Sequence, residues 1–281
     1  MVQVVRTIDD LREIISAWHR DGLQVGLVPT MGALHTGHLS LVKEALLHAD
    51  RCVMSIFVNP TQFAPQEDFE AYPRSEEKDV AAFSAAGGHV VFAPGIEEIY
   101  PEGGATSIKM AGPALGLEQQ FRPDHFDGVA LVVAKLLLAA KADYAVFGEK
   151  DYQQLQVIRQ LVVDLNIDTE IVPGSTVRDT EGLALSSRNS YLSPDQLETA
   201  RQLNKIMSGV ARALGENPGD RDRILETAKK EILRSGFNKI DYLDVRSNSL
   251  GPWLPDAGGR LLAAVWLGRT RLIDNCEIAA L

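Results

Sequence analysis

The stretch that decides the fold is Leu23-Gln-Val-Gly-Leu-Val28-Pro-Thr-Met31-Gly-Ala-Leu-His35-Thr-Gly-His38-Leu39. It joins an apolar run, residues 23–28, to a segment in which Leu39, Leu41, Val42, Ala45 and Leu46 recur at helical spacing. The order is therefore strand, glycine-bearing turn, helix, which is the repeating unit of α/β sheets. Two histidines stand at the predicted entry to the helix.

The start of this helix predicts a site for an anion. A helix N-terminus has unpaired N–H groups and carries the positive end of the helix dipole. Gly32 and Gly37 lack a Cβ, so the backbone can approach a bound phosphate closely. His35 and His38 share one face of the first turn, where neutral imidazoles can each donate a hydrogen bond. Two alternatives stay open: surface histidines on a plain connection, and a zinc pair, for which no cysteine or third ligand stands nearby.

Outward from this stretch, strands and helices alternate as far as about residue 172. The strands are predicted at 23–28, 51–58, 89–92, 143–147 and 168–172, and the helices near 7–18, 39–46, 75–86, 129–140 and 152–165. Alternation of this kind predicts βαβ units and a mostly parallel sheet. The first domain is predicted to comprise residues 1–177.

The pattern changes after about Arg178. Two successive helices are predicted at 195–214 and 221–233, and three strand-like runs follow at 239–246, 260–267 and 270–277. Helices followed by a small antiparallel sheet predict a smaller α+β C-terminal domain, residues 178–281.

Polar clusters follow three of the predicted strands. The histidine pair follows the first, Asn59-Pro-Thr-Gln62-Phe63 follows the second, and Gly148-Glu-Lys150-Asp151 follows the strand that ends at Phe147. Because ligands of parallel sheets bind beyond the carboxyl ends of the strands, these clusters are expected to converge on one pocket. The amides of the second cluster suit the hydroxyls of a small polar substrate, although an Asn-Pro turn is the simpler alternative.

Charged residues elsewhere suggest how a phosphate would be held. Lys150 can neutralise charge that develops on a phosphate, and Asp151 can bind ribose hydroxyls or cap the next helix. The hydroxyls and the guanidinium of Ser186-Ser187-Arg188 suit a phosphate clamp, with a hinge of small residues as the equal alternative.

Two further charged residues each allow two assignments. Arg122 can hold a carboxylate or pair with Asp124. Asp79 can face a metal-bound phosphate, but for a single helical acid a solvated face is the stronger expectation.

Composition excludes several classes of protein. The chain has 281 residues, 45% of them apolar, and a formal net charge of −10, which argues against a general nucleic-acid surface and a polybasic membrane patch. Cys52 and Cys276 have no metal-site spacing, and no signal peptide or membrane-spanning run is present, so a cytoplasmic protein is expected. A Gly-x-x-x-x-Gly-Lys-[Ser/Thr] phosphate loop and a Gly-x-Gly-x-x-Gly fingerprint are both absent from the sequence.

The motifs together resemble one family. Pro-Thr-Met-Gly-x-Leu-His-x-Gly-His resembles the HxGH signature of the nucleotidylyltransferase superfamily. Ser-Ile-Phe-Val-Asn-Pro-x-Gln-Phe, Arg-Pro-x-His-Phe-x-Gly-Val, Phe-Gly-Glu-Lys-Asp-Tyr-Gln-Gln and Gly-Leu-Ala-x-Ser-Ser-Arg-Asn-x-Tyr-Leu follow in order over about residues 23–194. In this order they resemble the pantothenate synthetase (pantoate–β-alanine ligase) family.

The resemblance implies a Rossmann-like α/β domain with helices on both faces of the sheet and a smaller C-terminal domain that covers the active site. It implies ATP-dependent joining of (R)-pantoate to β-alanine through a pantoyl adenylate, with release of AMP and pyrophosphate, Mg²⁺ as cofactor and a homodimer. A nucleotidylyltransferase of the same superfamily is the alternative, and a silent nucleotide-binding module is a third hypothesis.

The resemblance also implies roles for individual residues. The predicted catalytic residues are His35, His38, Lys150 and Arg188. The predicted ATP-binding residues are Met31, Gly32, His35, His38, Gly148, Lys150, Asp151, Val177, Leu185, Ser186, Ser187 and Arg188. The predicted pantoate and β-alanine residues are Asn59, Gln62, Arg122, His125 and Gln154, and Asp79 matches a position associated with magnesium. Gln119 and Leu131 depart from the usual glycine and threonine, so pantoate affinity is the property expected to differ.

Overall fold

The structure is a computed structural model that describes residues 2–62 and 75–280, and its chain divides into two units. Phe63 and the predicted polar loop up to Arg74 lie outside the described residues. The first unit comprises Met1–Glu149 and Gln154–Ser175, and the second comprises Lys150–Gln153 and Thr176–Leu281.

The first unit is built on a six-stranded parallel sheet. Its strands are β1 (Gln3–Val5), β2 (Val25–Thr30), β3 (Arg51–Ile56), β4 (Val90–Phe92), β5 (Tyr144–Gly148) and β6 (Glu170–Gly174), in the spatial order β1-β4-β3-β2-β5-β6. From β2 the chain moves outward through β3 and β4, then returns to place β5 on the other side of β2. The carboxyl ends of β2 and β5 therefore flank the switch point of the topology, where ligands of open α/β sheets bind.

Helices cover both faces of this sheet. They are α1 (Ile8–Arg20), α2 (Thr36–His48), α3 (Glu76–Ala85), α4 (Ile96–Ile99), α5 (Glu118–Phe121), α6 (His125–Ala140) and α7 (Tyr152–Asp164). Leu27 and Val53 belong to a buried cluster with residues of α1, α6 and α7. The next residues along the strands, Val28 and Met54, belong to a second cluster with residues of α2 and α3. Because strand side chains alternate between faces, the predicted α/β class with helices on both faces is confirmed.

Most of the predicted elements of this unit are found within two or three residues of their expected limits. The Thr7 hydroxyl accepts a hydrogen bond from the backbone N–H of Asp10 at 3.1 Å, so the predicted cap starts α1. The sequence did not predict β1, which pairs with β4 at the sheet edge over only three residues, too few for a periodic pattern. It also missed the single-turn helices α4 and α5 for the same reason.

The second unit has its own sheet and core. It contains α8 (Pro194–Glu216), α9 (Arg221–Arg234) and the antiparallel strands β7 (Lys239–Arg246), β8 (Gly259–Leu267) and β9 (Thr270–Ile278), in the order β7-β8-β9. Ser193 and Gln196 form a capping box at the start of α8. Leu203, Ile232 and Leu261 lie in one buried cluster formed by these helices and strands. The predicted smaller α+β arrangement is confirmed. Over the described residues, no helix combines the length and apolarity that a membrane crossing needs.

Candidate active site

The turn after β2 holds two successive residues in the left-handed backbone region. Gly32 has φ +82° and Ala33 has φ +53°. This conformation costs a non-glycine residue about 1–2 kcal/mol, so the surrounding structure has to stabilise it at Ala33. Thr30 contributes, because its hydroxyl accepts from the N–H of Gly32 at 3.2 Å and donates to the carbonyl of Ser55 at 2.7 Å.

Asp79 binds the same turn from the first turn of α3. Its Oδ2 accepts from the N–H of Ala33 at 2.9 Å and its Oδ1 from the N–H of Leu34 at 2.8 Å. The side chain is buried, with Asp79 only 3% exposed. The expectation that it lies on a solvated helix face is therefore wrong, because the carboxylate satisfies two backbone donors that precede the histidine motif.

His35 and His38 form the start of α2. His35 is the N-cap residue, and its Nδ1 accepts from the N–H of Gly37 at 3.1 Å. Nδ1 of His38 accepts from the N–H of His35 at 3.4 Å, and the two ring centroids are 4.1 Å apart. A ring nitrogen that accepts a hydrogen bond carries no proton, so each neutral ring holds its proton on Nε2. Both histidines thus become Nε2–H donors of the kind that a phosphate oxygen accepts.

The side-chain amide of Asn59 forms hydrogen bonds within the protein. Asn59 is 1% exposed, and its Nδ2 donates to Oε1 of Gln62 at 3.1 Å and to the carbonyl of Gly128 at 3.3 Å. Its Oδ1 accepts from the hydroxyls of Tyr100 at 2.8 Å and Thr61 at 3.0 Å. Since both N–H groups of its amide are used within the protein, Asn59 holds Gln62 in place.

Gln62 links the amide cluster to the turn after β2. Its Nε2 lies 3.3 Å from Sδ of Met31, and its backbone carbonyl accepts from Nη2 of Arg122 at 3.2 Å and lies 3.0 Å from Nδ1 of His125. Nη1 of Arg122 lies 3.2 Å from Nε2 of His125. These contacts are mutually consistent if His125 carries its proton on Nδ1, because Nε2 then accepts from the guanidinium.

Burial shapes the surroundings of Gln62. Gly128 is needed at the start of α6, because a Cβ there would collide with the carbonyl oxygen of Thr61. Burial also raises the pKa of Tyr100, although its hydrogen bond with Thr61 opposes the shift, so the phenol stays protonated and donates to Asn59. The guanidinium of Arg122 has the carboxylate of Glu118 at 3.8 Å, so its charge is partly balanced.

Most of the predicted site residues of the first unit therefore lie together. Hydrogen bonds connect Met31, Asn59, Gln62, Arg122 and His125 into one network. Gly148 is the last residue of β5, next to β2 in the sheet, and Gln154 lies half-buried in the first turn of α7. None of the contacts described for the first unit links Gln154 to this network.

In the second unit, Lys150 and Asp151 are neighbours in a 3-10 turn. Nζ of Lys150 lies 3.7 Å from Oδ1 of Asp151, and the lysine side chain is 19% exposed. Asn275 donates to the carbonyl of Lys150 at 2.9 Å, which fixes the backbone of this turn to β9.

The loop of residues 176–189, called the clamp loop below, is a small hairpin with anchors at both sides. Its backbone is closed by the bonds Leu185 N–H to Val177 carbonyl and Asp179 N–H to Leu183 carbonyl, both 2.9 Å. Arg178 reaches the buried carboxylate of Asp274 with two hydrogen bonds of 2.6 and 2.8 Å. Burial lowers the pKa of Arg178, but the hydrogen bonds and charge of Asp274 outweigh burial and raise it.

The hairpin continues into the serine–arginine segment. Oγ of Ser186 accepts from the N–H of Arg188 at 3.3 Å, and the hydroxyl of Ser190 donates to the carbonyl of Ser187 at 2.7 Å. Asn189 donates to the carbonyl of Ala184 at 3.1 Å, closing the segment onto the hairpin. Ser186, Ser187 and Arg188 therefore belong to one short folded turn, as a phosphate clamp requires.

A metal ligand is harder to find. In the described part of the chain, no group of three or more histidine, cysteine, aspartate or glutamate side chains is arranged to hold a metal ion. Mg²⁺ takes octahedral oxygen ligands and usually keeps several waters. Asp79, buried with both oxygens on backbone N–H groups, does not fit a direct ligand of such an ion.

Comparison with known proteins identifies the family. The model of the pantoate-β-alanine ligase family matches residues 3–277. A pantothenate synthetase of Mesorhizobium japonicum is 51% identical over 277 residues, which cover 98% of each chain. A crystal structure of pantothenate synthetase from Thermus thermophilus matches with a TM-score of 0.86 and 44% identity over 99% of each chain.

This chain belongs to the pantoate-β-alanine ligase family. A ligase of that family from Francisella tularensis, solved as a complex with β-γ ATP and β-alanine, matches with a TM-score of 0.84 and 35% identity over 99% of this chain and 98% of its own. The predicted ligase activity is thus confirmed at the level of the family.

Several residues that support the predicted site residues within each unit were missed in the sequence. Tyr100 and Thr61 complete the shell of Asn59, and Arg178 and Asp274 anchor the clamp loop. Tyr100 is 41 residues away from Asn59 in the sequence, and Arg178 is 96 residues away from Asp274. Sequence spacing therefore cannot indicate either contact. Gly128 belongs to the motif Arg-Pro-x-His-Phe-x-Gly-Val, but the sequence did not show which backbone it approaches.

Proposed function

We propose that this chain forms pantothenate in two steps. In the first, a carboxylate oxygen of pantoate attacks the α-phosphorus of ATP, the bond to the bridging oxygen breaks, and pyrophosphate leaves. In the second, the amine of β-alanine attacks the acyl carbon of the pantoyl adenylate, AMP leaves, and the amine loses a proton. An acyl adenylate is already activated, so positioning of the amine supplies much of the rate of the second step.

One observation carries this proposal: the contact between Gln62 and Met31. It connects an amide cluster suited to a hydroxyl-bearing acid with the glycine turn and histidines suited to a phosphate. Both lie in the first unit, so the attacking carboxylate and the nucleotide have adjoining places there. Adjacent binding of two reactants is what converts their reaction into an effectively unimolecular step.

We assign the stabilisation of negative charge in the transition state to the two histidines and to the cationic side chains of the second unit. The Nε2–H groups of His35 and His38 donate to oxygens of the attacked phosphorus, where negative charge increases. Lys150 and Arg188 neutralise the departing pyrophosphate, and the hydroxyls of Ser186 and Ser187 donate to its oxygens. In the further nucleotide contacts, Met31 and Gly32 line the pocket, and Gly148, Asp151, Val177 and Leu185 hold adenosine.

The substrate acid is assigned to two glutamine side chains, one of which is held in place by the other predicted residues. Gln62 and Gln154 bind pantoate directly, and Gln62 also lies near β-alanine in this proposal. Asn59, Arg122 and His125 act through Gln62, because their contacts fix its side chain and its backbone carbonyl. This differs from the direct substrate contacts that the sequence suggested for these three residues.

Three expectations from the family resemblance and one from the composition are kept as predictions. The resemblance implies Mg²⁺ as the companion of ATP, a homodimer and a C-terminal domain that covers the site, and the composition implies a cytoplasmic location. Both cysteines are free in the described structure, which agrees with a reducing compartment.

Oxygen tracing tests the two-step route. With pantoate labelled with ¹⁸O in its carboxylate, we expect one labelled oxygen in AMP, because the attacking oxygen stays on the α-phosphorus when the amine displaces it. We also expect exchange of labelled pyrophosphate into ATP that needs pantoate but not β-alanine.

Omitting each substrate in turn separates the competing hypotheses. Without β-alanine, neither pantothenate nor free AMP should accumulate over many turnovers. A stable adenylated product that β-alanine does not consume would favour a nucleotidylyltransferase. ATP binding without any pyrophosphate exchange would favour a silent nucleotide-binding module, and ADP as the spent nucleotide would contradict attack at the α-phosphorus.

A further inference from the structure

Asp79 connects α3 to the turn that presents the histidine pair. Its two carboxylate oxygens each accept one backbone N–H, from Ala33 at 2.9 Å and from Leu34 at 2.8 Å. Leu34 directly precedes His35, the N-cap of α2. A shift of either N–H group is therefore passed along one or two peptide units to the first histidine.

The turn needs such a partner. Gly32 and Ala33 both have positive φ, and Ala33 reaches it with a side chain that disfavours it. Buried or half-buried N–H groups without an acceptor are also unfavourable. A carboxylate is a stronger acceptor than a carbonyl, and Asp79 lies in the first turn of α3, where the helix dipole favours its charge.

The surroundings of Asp79 leave little room for a metal ion. The side chain is 3% exposed, and a Cβ built on Gly32 would lie 3.0 Å from its Oδ2. The carboxylate therefore packs directly against the backbone of the turn. Among the described residues, Asp79 belongs to no group of three or more histidine, cysteine, aspartate or glutamate side chains that could hold a metal ion.

We propose that Asp79 is a positioning residue, which holds the left-handed turn and thereby orients the Nε2–H groups of His35 and His38. In this role it is not a direct magnesium ligand. This inference rests on the proposed function only where it assigns the histidines to the nucleotide. The conformational part concerns the protein without nucleotide or metal and can be tested separately.

The variants Asp79→Asn and Asp79→Ala test the proposal. Asparagine keeps one acceptor oxygen but turns an NH₂ group toward a backbone N–H, and alanine removes both acceptors. We expect kcat to fall by about 10²-fold, because misplacement of a catalytic group by about 1 Å costs a factor of that order. The Mg²⁺ concentration for half-maximal activity and the KM for pantoate should stay at their wild-type values.

Hydrogen exchange supplies a readout that does not depend on activity. In the protein without nucleotide and metal, the amides of Ala33 and Leu34 should exchange faster in both variants than in the wild type. If the wild type fails to make pantothenate, the proposed function is wrong, but this exchange still decides whether Asp79 holds the turn.

Two controls separate positioning from general effects. Glu77→Gln removes an exposed charge from the same helix turn and should behave as the wild type. Ile232→Ala destabilises the buried core of the second unit and should keep the wild-type kcat while the protein is folded. This control separates an effect of lower stability from an effect of misoriented histidines. A raised Mg²⁺ requirement in Asp79→Asn that excess Mg²⁺ rescues, or unchanged exchange at Ala33 and Leu34, would overturn the proposal.

Discussion

At the scale of single residues, the two ring nitrogens of His38 have separate tasks. Nδ1 accepts from the backbone N–H of His35, so Nε2 carries the proton and is the donor. Asparagine can imitate the position of Nδ1, and glutamine the position of Nε2. We expect His38→Asn to keep the start of α2 but to lower kcat by about 10²-fold, the usual loss for one transition-state donor.

His38→Gln is the matched comparison for this prediction. It restores an N–H donor near the position of Nε2 and should retain more of the wild-type kcat than His38→Asn. Steady-state kinetics with all three substrates and a circular dichroism spectrum of each variant are the measurements. If the glutamine variant is as slow as the asparagine variant, or if His38→Asn turns over normally, the assigned donor is wrong.

The sequence predicted residue types better than it predicted what each residue touches. His35 and His38 could be placed at a helix start from their spacing alone, and the structure puts His35 at the N-cap. Asn59 and Asp79 could not be assigned in this way, because burial decides their roles. Their partners Gly128 and Ala33 lie 69 and 46 residues away, and only the folded chain brings them together.

At the scale of elements, the packing of α6 on the 3-10 turn Pro60–Gln62 positions Gln62. Gly128 allows this approach, since any Cβ there would meet the carbonyl of Thr61. We expect Gly128→Ala to displace the turn and raise the KM for pantoate several-fold, with a smaller effect on the KM for ATP. Initial rates at varied pantoate and varied ATP measure the two constants.

Gly215→Ala is the control for the glycine substitution. Gly215 also lies in a helix, but nothing stands within 4 Å of a Cβ at that position. Alanine there should leave both KM values unchanged and stabilise α8 slightly, by up to about 1 kcal/mol. Equal effects of the two variants on the KM for pantoate would show that the contact with Thr61 is irrelevant.

The clamp loop has a pH-dependent anchor in Asp179. Burial raises the pKa of Asp179, but hydrogen bonds from Arg201 and from the backbone of Leu183 and Glu181 outweigh burial and lower it. The unfolded chain therefore binds the proton more tightly than the folded chain does. The stabilisation is present above the unfolded pKa and is lost as the pH falls through the lower folded value.

We expect Asp179→Asn to reduce this acid sensitivity. The melting temperature of the second unit should fall less steeply in the variant than in the wild type as the pH falls through and below the ordinary pKa of an aspartate, about 3.9. Asp256→Asn, which removes an exposed acid of the same unit, should keep the wild-type slope. If the melting temperature of Asp179→Asn fell with pH as steeply as that of the wild type, Asp179 would not be the cause of the acid sensitivity.

At the scale of the whole molecule, the fold was the most predictable property. The runs at 25–30, 51–56 and 144–148 are apolar because both faces of the sheet are covered, and this pattern survives in the sequence alone. Strand order was not predictable, since β5 lies beside β2 after an excursion of more than 100 residues. The site at the switch point could therefore be inferred in kind, while its contacts had to come from the structure.

The buried side chains of the described chain form clusters that each stay within one unit. One cluster of the second unit contains Ile232, and the two sheet clusters of the first contain Leu27 and Val28. We therefore expect two cooperative blocks in unfolding. Leu27→Ala and Ile232→Ala should each lower the free energy of unfolding of their own unit by about 2–5 kcal/mol, the range for large-to-small changes in a core.

The three tryptophans allow the two blocks to be followed separately. Trp18 lies in α1, whereas Trp253 and Trp266 belong to the second unit. In a Trp18→Phe background, Ile232→Ala should lower the urea midpoint seen by fluorescence, while Leu27→Ala should change it much less. In a background that keeps only Trp18, the order of the two effects should reverse. Equal shifts of the urea midpoint with both reporters would mean that the two cores unfold as one block. In a single cooperative transition, a substitution in either core shifts the midpoint that every reporter measures.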